Sequence, residues 1–125
     1  MNKKTLLWSI ITIIITGFLY YVSIVEPEQV RADAMIKHAQ YTAPKIITKA
    51  MQNFYVDCGK YPASLDELTM QTQVSGRTVG PWLKENRDPW DMPFRYDPKE
   101  KLLTSSGPDK SFGTKDDVSV KLQLN

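Results

Sequence analysis

The sequence predicts an α+β chain: an N-terminal transmembrane helix, then a long helix packed on a small antiparallel β-sheet of about three strands. Three observations predict it. Residues 5–25, "TLLWSIITIIITGFLYYVSIV", carry no charge. Between Ile36 and Phe54, apolar residues recur at three- and four-residue spacing. Near the C-terminus, apolar and polar residues alternate in short runs separated by Pro, Gly and Asp.

The uncharged run comes first. As a helix it is about 31 Å long, close to the hydrocarbon thickness of about 30 Å. A secretory signal has a shorter apolar stretch of roughly 7–15 residues. An Ala-x-Ala triplet occurs at Ala32-Asp33-Ala34, but well beyond the apolar end. A buried core helix is disfavoured, because the rest of the chain is too small to wrap a helix apolar all round. The run is therefore read as a single-pass membrane helix. Lys3 and Lys4 precede it and place residues 1–4 in the cytoplasm and residues 26–125 outside it. Tyr20 and Tyr21 fall toward the outer interface.

The second helix is expected over 28–56. Ile36, Ala43, Ile47, Ala50 and Phe54 form its apolar stripe, and Gln40 interrupts it. Pro27 falls at the entry, where proline is tolerated. Pro44 falls mid-helix and should kink or split it. Gly59 suits a left-handed cap, and Pro62 prevents continuation. Residues 57–92 are expected to be loops and one short helix. In "SLDEL", Ser64 is the N-cap candidate and Glu67 completes a capping box. "QTQVSGRTVGPWL" reads as a loop with a turn at Gly80-Pro81.

Sheet structure is expected over 93–125. Phe94 and Tyr96 alternate with Arg95 and Asp97 in a short strand, and "KLLTS" returns after a turn at "DPKE". Val118, Val120, Leu122 and Leu124 share one face of a last strand. Between these strands lies "SSGPDKSFGTKDDV", with Asp109, Asp116 and Asp117 crowded into one loop beside Gly107 and Gly113. Calcium takes 6–8 oxygen ligands, which three carboxylates and turn carbonyls can supply. The spacing is not that of an EF-hand. The competing reading is a solvated acidic turn neutralised by Lys110 and Lys115.

Composition narrows the function. The formal charge is +2, all of it from Lys3 and Lys4, and no basic stripe is present. Nucleic acid is not an expected partner. One cysteine, Cys58, forms no internal disulfide or multi-cysteine zinc site. The single histidine, His38, lies in the helix and Cys58 in the turn after it, so a Cys–His nucleophile is not expected. No Ser/His/Asp set assembles around His38. The chain reads as non-enzymatic, with no small-molecule substrate.

The words "DCGKYP", "SLDEL", "GPWLKENRDPWDMPFRY" and "SSGPDKSFGTKDDV", in this order after a membrane helix, resemble the globular domain of the major pseudopilin of type II secretion systems. The resemblance runs from about Gln29 to Val118. It implies a pilin-like fold and a structural or assembly component of a secretion machine in the bacterial inner membrane, its domain periplasmic, its partners other pseudopilins or machinery proteins. It implies one calcium ion in the last loop, with carboxylates from Asp109 and Asp117, Asp116 as a further candidate, and a backbone carbonyl from Ser106. It also implies that "DPW", 88–90, pins the loop before the sheet, with Asp88 as turn former and Trp90 in the core. Asp91 follows where the family usually has Gly. The front of the chain departs from the pattern. Its only Gly-Phe, Gly17-Phe18, lies inside the apolar run, and the fifth residue after Gly17 is Val22 rather than Glu. The expectation is an atypical, uncleaved anchor without the prepilin cleavage motif. A stand-alone, envelope-anchored calcium-binding interaction module outside any pseudopilus is the alternative.

Overall fold

A computed structural model describes residues 2–124. The chain divides into two units, Met1–Ala34 and Met35–Asn125. Helix α1 covers Lys3–Lys37 and takes in Pro27, which stands inside the helix rather than at an entry. The chain has a helix long and apolar enough to cross a membrane, and none of that apolar window is buried by the protein. Four hydroxyls of the apolar run bond within the helix. Ser9, Thr12, Thr16 and Ser23 each donate a hydroxyl to the carbonyl four residues back, at 2.7–2.9 Å. No hydroxyl in this group needs water.

The second unit is built on helix α2, Ala43–Cys58. A single π-turn, His38–Thr42, precedes it, and Pro44 sits in its first turn. Proline has no N–H, and its ring crowds the carbonyl four residues back. The wider turn accommodates this, and the Ala43 N–H reaches back to the His38 carbonyl. The extra residue also rotates the stripe. Ala39 is buried instead of Gln40, so the apparent interruption disappears, and Ile36 is only half-buried. Gly59 closes α2 with φ 73, its N–H bonded to the Tyr55 carbonyl at 2.8 Å. Cys58 is the last helical residue, not part of a following turn.

Strands β3 (Arg95–Asp97), β4 (Leu102–Ser105) and β5 (Val118–Lys121) form an antiparallel sheet in that order. Asp97 makes the β3–β4 turn by accepting the N–H groups of Lys99 and Glu100 at 2.9 and 3.2 Å. The core is a single cluster: Ile47, Ala50, Met51 and Phe54 of α2 meet Phe94, Leu103, Leu122 and Leu124 from the sheet side. Met51 is completely buried. Leu65, just before the short 3₁₀ helix Asp66–Thr69, and Leu68 within it close the cluster.

Three local expectations are corrected. Ser64 is not the cap of that short helix; Leu65 precedes it without a side-chain cap bond. Glu67 does fold back, but onto the Ala63 N–H at 3.1 Å. The stretch after it is not a plain loop. It holds a hairpin of β1 (Thr72–Val74) and β2 (Arg77–Val79), turned through Ser75 and Gly76 with φ 51 and 78. Trp90 is half-buried and outside the core cluster; the core tryptophan is Trp82. Its ring meets Phe54 edge-on at 4.8 Å, and its indole N–H donates to Asp57 at 2.8 Å.

Met51→Ala removes the side chain at the centre of this cluster and should cost about 2–5 kcal/mol. Urea denaturation of the detergent-solubilised protein measures it. A loss below about 1 kcal/mol would contradict the packing described.

Candidate functional site

Ser105, the last residue of β4, pairs directly with Val118, the first of β5. The chain between them, 106–117, must therefore leave and return at one place. Its entry is buried. Ser105 and Ser106 have no exposed surface, and Asp88 is 5% exposed. The Asp88 carboxylate accepts the Ser105 hydroxyl at 2.6 Å and the Ser106 hydroxyl at 3.4 Å through Oδ2. Through Oδ1 it accepts the N–H groups of Trp90 and Met92 at 3.0 and 2.8 Å. A buried carboxylate is tolerable only when so satisfied. The expected turn-forming role of Asp88 holds, and Asp91, where the family usually has Gly, takes a left-handed conformation (φ 67). What the sequence did not disclose is that the same carboxylate also grips the end of β4.

Gly107 follows, with φ 69. A Cβ there would run into the Asp116 carbonyl oxygen, so the two arms of the loop touch at this point and only glycine fits. At the far tip, the Arg95 guanidinium lies 3.8 Å from the centre of the Phe112 ring and tacks the loop to β3.

The three aspartates lie between these anchors, and each turns onto the loop itself. Asp109 accepts the Ser111 N–H at 2.9 Å. Asp116 accepts the Asp109 N–H at 3.1 Å, and Asp117 accepts the Gly113 N–H at 2.7 Å. The Thr114 hydroxyl has one proton. Within its reach are three acceptors: Asp116 Oδ1 at 2.9 Å, the Ser111 carbonyl at 3.1 Å and Asp117 Oδ1 at 3.4 Å. Oxygen acceptors outnumber protons here. Among the described residues, no ion pair joins Lys110 or Lys115 to these carboxylates. The Thr114 hydroxyl, then the backbone N–H groups of Asp109 and Asp116, hold the Asp116 carboxyl below its ordinary 3.8, against a smaller opposing effect of desolvation.

Among the described residues, no three His, Cys, Asp or Glu side chains stand together as a ready-made metal cluster. The groups gathered here are carboxylate, carbonyl and hydroxyl oxygens. Ser106 stands at the loop entry with its side chain committed to Asp88. Elsewhere, exposed His38 opens the π-turn and half-buried Cys58 closes α2. The helical turns between them hold the two roughly 30 Å apart, so they form no couple.

The order of these elements can be compared with known proteins. The family described as type II secretion system (T2SS), protein G, matches residues 28–122, most of the chain. The chain belongs to the type II secretion system protein G family. The structure is also similar to the crystal structure of the major pseudopilin from the type 2 secretion system of enterohaemorrhagic Escherichia coli. The TM-score is 0.55 at 18% identity, over 73% of this chain and 90% of that one. That likeness shows the pilin-like fold. No curated protein matches the chain. As a protein G family member it is a structural component of a secretion system, and its partners are other components of that system.

The Asp116 environment makes a pH prediction. A folded-state value below 3.8 means that the favourable contribution of this carboxylate is present above 3.8 and is lost as pH falls through the lower, folded value. NMR titration of the Asp116 side chain should give a midpoint below 3.8, and Thr114→Val should move it upward. An Asp116 midpoint at or above 3.8 in the wild-type protein would contradict the hydrogen bonding described.

Proposed function

We propose that this protein is a membrane-anchored pseudopilin-like component of a type II secretion system, with a head domain stabilised by one calcium ion. Residues 5–25 cross the bacterial inner membrane once. Lys3 and Lys4 hold the N-terminus in the cytoplasm, and the domain after the helix lies on the periplasmic side, where it meets other pseudopilins or machinery proteins. The self-satisfied hydroxyls of the apolar run support the anchor.

The observation that carries the calcium reading is the excess of oxygen acceptors around Thr114. Asp109 and Asp117 supply carboxylates, Asp116 a further one, and Ser106 a backbone carbonyl. When bound, calcium would supply positive charge to carboxylates that, among the described residues, no ion pair neutralises. The residues of the chain do the rest. Gly107 lets the arms of the loop close and Arg95 holds its tip through Phe112, and the carboxylates would turn from their N–H partners to the ion.

A ligand bound only by the folded state, at a hundredfold excess over Kd, stabilises it by about 2.7 kcal/mol. The melting temperature of the wild-type protein should rise by several degrees with calcium relative to chelator. Asp117→Ala should remove most of that rise. Asp57→Ala breaks the contact to Trp82 and should lower the melting temperature, yet keep the calcium increment. Wild-type melting curves that coincide in calcium and chelator would overturn the calcium reading.

A further inference from the structure

The buried polar chain behind the 106–117 loop has a direction. Asp88 accepts the proton of Ser105, and Ser105 Oγ, its proton so committed, accepts the Gly107 N–H at 3.3 Å. Gly107 in turn is the residue packed against the Asp116 carbonyl. We infer that Asp88, outside the loop, is its positioning residue, acting through Ser105 on Gly107 and so on where Asp116 stands.

Three features support this beyond a turn-forming role. The first is burial: Ser105 and Ser106 have no exposed surface, so no water replaces Asp88 if it is lost. The second is strength: the 2.6 Å bond from Ser105 to a carboxylate is of the short, charge-assisted kind. The third is division of labour. One carboxylate oxygen serves the 88–92 turn and the other serves the end of β4. The turn and the loop are therefore set by one group. Asparagine does not reproduce this. With its carbonyl on the Trp90 and Met92 N–H groups, its amide would face Ser105 with protons, and the Ser105 proton would have no acceptor.

The inference concerns the loop with or without metal. Its consequence for calcium rests on the calcium reading above: a loop whose arms are not held would present Asp109, Asp116 and Asp117 less well ordered, and would bind the ion more weakly.

Hydrogen exchange of the full-length protein in detergent, in chelator and in calcium, tests it. In chelator, Asp88→Asn should speed exchange of the amides between Gly107 and Asp117 by about tenfold. Ser105→Ala breaks the chain while leaving the Asp88 bonds to Trp90 and Met92, so it should speed the same amides and leave the 88–92 turn protected. It also serves if Asp88→Asn does not fold. In calcium, the Ser105→Ala protein should need several-fold more ion to reach half protection of the loop. Loop exchange in Ser105→Ala equal to wild type in chelator, or changed only in step with the whole domain, would overturn the positioning role. Wild-type exchange indifferent to calcium would overturn the calcium reading and leave the chelator comparison standing.

Discussion

The pairing of Ser105 with Val118 is the constraint on which the rest of the head domain depends. It is fixed from below by the core. Leu103 faces Met51 and its neighbours from β4, and Leu122 and Leu124 reach the same cluster from beyond β5. A one-residue slip of either strand would turn these side chains to solvent. With the register held, the intervening chain returns to its starting point, and three aspartates end on one short arc. The electrostatic problem of the loop is thus created by hydrophobic packing several residues away. The core tolerates it because the acids lie outside the buried region: Asp109 and Asp116 are exposed and Asp117 half-buried.

The loop answers its charge in two ways. Backbone N–H groups and the Thr114 hydroxyl give each carboxylate at least one donor. The buried side is different in kind. Asp88 is a carboxylate within the domain rather than on its surface, and its four bonds join two segments remote in sequence. Such a network rigidifies when complete and is costly when broken. The loop is anchored on a buried carboxylate at one end and on an aromatic–guanidinium contact at the other.

Much of this was legible in the sequence. The membrane-length run, the α2 stripe, the Gly59 cap and the three strands follow from charge, period and turn residues, which act locally. The α2–sheet packing follows because each element has one apolar face. The missing parts depend on partners distant in sequence. Asp88 precedes a proline and reads as a turn former; only Ser105 and Ser106 reveal its burial. On a constant helical period Gln40 breaks the stripe, whereas Pro44 widens the turn before it and brings Ala39 inward. The hairpin over 72–79 shows no alternation in sequence, because its residues are polar and mostly exposed. The Ser75-Gly76 pair between "TQV" and "RTV" was the available signal. Trp82 rather than Trp90 joins the core, because indole burial depends on reaching Phe54 and Asp57, which no short word encodes.

The central claim is that a cation completes the loop that this register creates. A crystal structure of the protein grown with millimolar calcium tests it most directly. The account predicts one ion between the loop arms, with carboxylate oxygens of Asp109 and Asp117 and backbone carbonyls at about 2.3–2.6 Å, and the Asp88 bonds unchanged. Calcium-grown crystals with no ion in the loop, and with Asp116 and Asp117 still bonded to Thr114 and to the N–H groups of Asp109 and Gly113, would contradict it.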